Sequence, residues 1–159
     1  MKRILKILER DARTPVSQIA PMVGETEEEV SRTILDCERR GIIRRYKTIV
    51  DWERAGVERV FAFIEVKMSP AREVGFDDVA ARIYRFPEVH SVYLVSGGYD
   101  LLVVVEGKTM KEVAFFVAER LATIDRVHST ATHFLLKKYK EDQVVVAEPE
   151  EDRRLVVTP

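Results

Sequence analysis

The chain has 159 residues, 46% of them hydrophobic, with 26 basic and 27 acidic side chains and a formal net charge of −1. That content supports a folded core rather than disorder, and the near-zero charge means that any nucleic-acid contact must come from a local patch. A single cysteine, Cys37, excludes a disulfide framework and a multi-cysteine zinc site, and no apolar run approaches a membrane span, so the sequence predicts a soluble cytoplasmic protein with no membrane partner.

Residues 2–11 read as an amphipathic helix with Ile4, Leu5, Ile7 and Leu8 on one face. Thr14-Pro15 predicts a second helix start, a hydroxyl cap followed by Pro at the first helical position. That helix carries Val16, Ile19, Ala20 and Val23 inward and stops at Gly24, while Pro21 inside it predicts shortening or a kink. Thr26 and Glu29 form a Thr-x-x-Glu capping box opening a third helix, whose inner stripe is Val30, Ile34 and Cys37 and whose end is Gly41. Short helices with a tight Gly-containing turn between the second and third make a helix-turn-helix, of the winged type if a strand follows.

In such a motif the third helix meets the DNA bases, so Glu28, Ser31, Arg32, Arg39, Arg44 and Arg45 are the candidate DNA contacts. Glu25, Glu27, Glu28 and Glu29 crowd its start, which suits the helix dipole but faces like charge on phosphate. Residues 1–52 hold eleven basic and nine acidic side chains, a net of +2, which predicts weak DNA binding per dimer, made useful when several dimers act together.

Ile42–Val50 has strand-forming residues, and 51–58 is a polar linker containing Trp52. Beyond it lies an internal repeat. A shift of 38 residues lays Val79, Ala80, Arg82, Val89, His90 and Ser91 on Val117, Ala118, Arg120, Val127, His128 and Ser129 without a gap. Each unit is strand, helix, strand, so two units predict a ferredoxin-like βαββαβ domain over 59–139 and an α+β fold overall. The predicted strands are 59–68, 88–96, 99–106 and 127–138, and the predicted helices are 73–85 and 109–123. These strands are apolar on both alternating sets, yet only two helices are available to cover them, so a second copy of the sheet is the economical cover for the other face. The tail, 140–159, mixes acids with apolar patches and reads either as disordered or as an added edge strand.

This order of elements resembles the Lrp/AsnC (feast/famine) transcription regulators. The resemblance spans 2–139 and rests on Arg39-Arg40-Gly41-Ile42-Ile43 after the third helix, on Ser96-Gly97-Gly98-Tyr99-Asp100 between the middle strands, and on Ser129-Thr130-Ala131-Thr132 in the last strand. It implies DNA and a free amino acid as partners, and a homo-oligomer of sheet-paired dimers that assemble into octamers or larger rings. It also implies ligand groups from Gly97, Gly98, Tyr99 and Asp100 and from His128, Ser129, Thr130 and Thr132.

Taken alone, Gly98-Tyr99-Asp100 reads as a tight hairpin. The resemblance adds that loop amides receive a carboxylate while Asp100 pairs with an ammonium, since a buried zwitterion needs both. The hydroxyls of the last strand read equally as ordinary strand formers or as ligand-orienting groups. His128 and His133, five apart on a strand, face opposite ways and cannot share a metal. Gly107-Lys108-Thr109 lacks the upstream Gly of a phosphate-binding loop, that position being Leu102, and reads as a strand-to-helix turn. No nucleophile–base set has motif context and no cofactor is implied, so an enzyme is not expected. The alternative function is a ligand-binding oligomer whose helix-turn-helix contacts protein instead of DNA.

Overall fold

The structure is a computed structural model and describes residues 1–69 and 75–147. It divides into two compact units, Met1–Val50 and the remainder from Asp51.

The first unit holds α1 (Lys2–Arg10), α2 (Val16–Val23) and α3 (Glu27–Arg39). Their facing sides bury Ile4, Ile19, Ala20 and Val30, backed by Ile7, Leu8, Val16, Val23 and Ile34. Each of the fully buried Ile4, Ile19 and Val30 contributes about 1.5–3 kcal/mol. Helix α2 starts one residue later than expected. Its N-cap is Pro15, whose carbonyl accepts from the amides of Gln18 and Ile19, and the Thr14 hydroxyl instead donates to the Asp11 carbonyl. Pro21 does not break the helix, which runs on to Gly24 in the left-handed conformation at φ 76°. Its open carbonyls are met by Arg3, whose guanidinium donates to Met22 O at 2.8 Å and Val23 O at 3.3 Å.

The capping box of α3 is complete. The Thr26 amide donates to Glu29 Oε2 at 2.8 Å and the Glu29 amide donates to Thr26 Oγ1 at 3.3 Å. The Thr26 amide, and after it the Thr26 hydroxyl, which donates to the same Oε2 at 2.9 Å, hold the Glu29 carboxyl below its ordinary value.

The expected strand over 42–50 does not form, because no segment among the described residues pairs with it. It leaves α3 through Ile42 and Ile43, whose amides both donate to Cys37 O, and Tyr46 donates to Glu38 at 2.8 Å. Burial of that hydroxyl and its bond to Glu38 push the Tyr46 phenol up to about 12.

The second unit opens with a hydrogen-bonded turn over the expected linker. Ala55, Gly56 and Val57 donate back to Asp51, Glu53 and Trp52. Arg59 then stacks on Trp52 at 3.9 Å and pairs with Glu106 at 2.7 Å.

The repeat follows as β1 (Val60–Met68), α4 (Asp77–Ile83), β2 (Val89–Leu94), β3 (Leu101–Gly107), α5 (Met110–Phe116) and β4 (Val127–Phe134). The four strands form an antiparallel sheet in the order β2-β3-β1-β4. The helix predicted from residue 73 begins at Asp77, its first two positions lying outside the described residues. The helix predicted to 123 ends as α5 at Phe116 and continues as a π-helical turn through Leu121.

One sheet face packs on α4 and α5. Ala62, Ile64, Val66, Met68, Leu101, Val103 and Val105 are buried there with Val79, Ile83, Val113, Phe116, Val117 and Leu121. The repeat-equivalent Val79 and Val117 both lie in this core. Gly107 is required where β3 turns into α5, since a Cβ there would stand 2.8 Å from Val113 Cγ2. The Thr109 hydroxyl caps α5 by accepting from Glu112 N at 3.1 Å, so Gly107-Lys108-Thr109 is a strand-to-helix turn.

The other face carries Phe61, Phe63, Glu65 and Lys67 of β1, with Leu102 and Val104 beside them on β3 and Ala131 and His133 on β4. Phe63 is 36% exposed and Tyr93 53% exposed in the single chain.

Strand β4 ends at Phe134, four residues before its expected end. Part of the tail makes a hairpin of its own, β5 (Lys140–Glu141) with β6 (Val144–Val145), and residues 148–159 lie outside the description.

Candidate functional site

Antiparallel pairing brings the end of β1, the start of β3 and the start of β4 to one end of the sheet. Val66 stands opposite Leu101 on one side and Thr130 on the other, and Met68 stands opposite Val127. The loop at 96–100 therefore lies at the same sheet end as the beginning of β4, with β1 between them.

The loop is closed by Val95 N donating to Asp100 O at 2.9 Å, and it is tied to β1 by Asp100 N donating to Val66 O at 3.0 Å. Gly97, at φ 157°, holds a backbone conformation that L side chains rarely adopt, and Gly98 has open space around it, so the loop leaves room for a ligand to approach. Tyr99 and Asp100 are half-buried. The Asp100 carboxylate also serves the fold, since its Oδ2 accepts from Met68 N at 2.8 Å. The sequence signalled Asp100 but not its partner, because nothing local marks Met68 as the residue at which β1 has run past its β3 partners.

At the start of β4 the register slips. Lys67 faces Ser129 while Met68 faces Val127, so His128 is an extra residue in the strand. Such a bulge re-aims its side chain, and His128 Nε2 lies 2.6 Å from Ser69 Oγ. The repeat-equivalent His90 sits at a matching slip, between Val89 opposite Val105 and Ser91 opposite Val104. The expected hydroxyl cluster divides. Ser129 is on the open sheet face, whereas Thr130 and Thr132, opposite Val66 and Ile64, are on the face that carries the helices. Ser69, absent from the sequence-based set, joins the cluster through His128.

In the first unit the candidate DNA contacts are spread along α3 and the segment after it. Glu27 and Glu28 are exposed, Ser31 is half-buried, and Arg32 is 3.9 Å from Glu28 on the exposed surface. Asp36 holds both Arg39 at 3.4 Å and Arg40 at 3.2 Å. Arg44 and Arg45 are exposed. Part of the positive charge near α3 is thus offset by acids of the same helix.

Among the described residues no helix is long and apolar enough to cross a membrane. Residues 2–35 match the AsnC-type helix-turn-helix domain, and residues 61–145 match the Lrp/AsnC ligand binding domain. The chain is 49% identical over 157 residues to YugG of Bacillus subtilis (strain 168), named an uncharacterized HTH-type transcriptional regulator, covering 98% of this chain and 95% of that one. Among solved structures it is similar to the transcriptional regulator NMB0573/L-Met complex from Neisseria meningitidis, with TM-score 0.70, 25% identity, and coverage of 92% of each chain. It shares its fold with the feast or famine regulatory protein of M. tuberculosis complexed with L-methionine, with TM-score 0.72, 23% identity, and coverage of 92% of this chain and 96% of that one. With an AsnC-type helix-turn-helix at one end and the matching ligand-binding domain at the other, the chain belongs to the Lrp/AsnC family of transcription regulators, and its work is DNA-binding regulation rather than catalysis.

Proposed function

We propose that this regulator responds to a free amino acid taken up at the sheet end where Gly97–Asp100 meets the start of β4. The observation that carries the reading is the convergence of a glycine loop, a carboxylate and the hydroxyl and imidazole groups of Ser69 and His128 around the end of β1. In this reading the amides of Gly97, Gly98 and Tyr99 face the effector carboxylate, and Asp100 Oδ1, the oxygen not committed to Met68, takes the ammonium. His128, Ser129, Thr130 and Thr132 orient the rest from both faces of β4. Two solved relatives carry L-methionine, which makes an amino acid the natural ligand class.

DNA is met by α3 through Glu28, Ser31 and Arg32, with Arg39, Arg44 and Arg45 on the flanking phosphates. The working form is a cytoplasmic homo-oligomer. Dimers pair through the face bearing Phe63, Leu102 and Val104, and they assemble further into octamers or larger rings. A second reading, in which the helix-turn-helix contacts protein, is favoured by the exposed Glu27 and Glu28 at the start of α3. A mobility shift on the DNA upstream of the protein's own coding sequence, with and without each of the twenty amino acids, tests the proposal. A shift that one or a few amino acids alter supports it, and no shift under any condition favours the protein-contact reading.

A further inference from the structure

Arg126, the residue before β4, carries two local anomalies at once. Its backbone φ is 74°, a region L side chains rarely occupy, and its Nη1 is sealed from solvent with no hydrogen-bond partner among the described residues. The repeat-equivalent turn does without this strain. The turn Ile124–Val127 is closed by Val127 N donating to Ile124 O at 3.0 Å, and the repeat-equivalent turn Phe86–Val89 is closed the same way at 3.0 Å. In that second turn Glu88 occupies the place of Arg126, yet Glu88 is not among the residues with positive φ. A glycine is the ordinary occupant of the third position of a turn with positive φ. Arginine there keeps a backbone cost that glycine would remove.

The backbone of this position borders the candidate effector site. The Arg126 carbonyl accepts from Ser69 N at 3.3 Å, and the Ser69 hydroxyl meets His128. The nearest acid is a weak partner, since Asp125, 80% exposed, stands 3.9 Å from Nε. No residue in 96–100 or 128–132 bears a fixed positive charge. Besides Lys67, opposite Ser129 on the open face, the site as drawn has an anion for an ammonium but only loop amides for a carboxylate. A guanidinium is the side chain best shaped to take a carboxylate through two parallel hydrogen bonds.

We propose that Arg126 is an effector-binding residue whose guanidinium takes the α-carboxylate of the bound amino acid. The inference deepens the effector reading and rests on it. The one-third exposed side chain gives the anion access to the guanidinium, and binding turns the sealed Nη1 toward an acceptor.

The test is calorimetry on the full chain and on Arg126→Gly and Arg126→Asn, both of which tolerate positive φ. Each protein is titrated with the twenty free L-amino acids and, for those that bind, with the matching carboxamide, which lacks the negative charge. The wild type should prefer acid over amide by roughly 10- to 100-fold, and both variants should lose that preference while melting no lower than the wild type. Variants that keep the preference overturn the role of Arg126 and leave the effector site standing. Variants that melt lower assign the guanidinium to the fold and also overturn it. A wild type that binds no amino acid overturns the effector reading itself.

Discussion

Asp100 and Met68 are joined across the end of the sheet, the carboxylate Oδ2 accepting from the Met68 amide at 2.8 Å. The side chain that the sequence marks for a ligand is therefore also the cap of the last β1 amide on that side. One residue carries a structural and a binding duty, and the two are separable by substitution.

Asp100→Ala should weaken amino-acid binding by about 1.5–3 kcal/mol, the range for a hydrogen bond to a charged group. It should also lower stability by about 1–3 kcal/mol, because Met68 N is left without its acceptor. Asp100→Asn keeps an oxygen for Met68 and removes the charge, so it should keep the melting temperature and still lose affinity. Calorimetry paired with thermal melts on both variants checks this. Equal affinity in the wild type and both variants contradicts the assignment.

The DNA contact should be electrostatically marginal. Glu27→Gln with Glu28→Gln removes two carboxylates near phosphate and frees Arg32 from its partner 3.9 Å away. Non-specific DNA binding should tighten in that variant, and Arg32→Ala should loosen it and flatten the salt dependence. Salt-titrated mobility shifts on random-sequence DNA check the pair. If neither variant moves, α3 is not at the DNA.

The open sheet face should be a subunit interface. Phe63 and Val104 are register partners at its centre, and a charge there would be buried in a paired dimer. Val104→Glu should yield monomers at micromolar concentration by light scattering while the circular dichroism spectrum is retained. A wild type already monomeric under those conditions contradicts the expectation.

The α3 cap should be pH-linked. The Glu29 carboxyl is held low chiefly by the Thr26 amide, then by the Thr26 hydroxyl. A carboxyl whose folded pKa is depressed contributes stability above its unfolded value of 4.5 and loses it as pH falls through the folded value. Thr26→Ala should cost about 1 kcal/mol at neutral pH, the usual worth of a cap. The cost should shrink on acidification, and melts from pH 7 to pH 3 check the direction.

Much of this architecture is legible in the sequence because its signals are local or periodic. The 38-residue repeat gives β1-α4-β2 and β3-α5-β4, and Thr26-x-x-Glu29 gives the start of α3. What is not legible depends on partners distant in the chain. Residues 42–50 have strand composition but no strand beside them among the described residues. The split of Ser129 from Thr130 and Thr132 follows from strand alternation, but the histidine bulges at 90 and 128 appear only once the registers are known. The backbone strain at Arg126 has no sequence signal beyond an arginine where a turn favours glycine.

The most direct measurement of the central claim is amide hydrogen exchange on the full chain, with and without the amino acid that alters its DNA binding. The account predicts slowed exchange in peptides covering 66–69, 95–101 and 126–132, and little change across α4. Protection confined to other segments, or none at saturating amino acid, would contradict it.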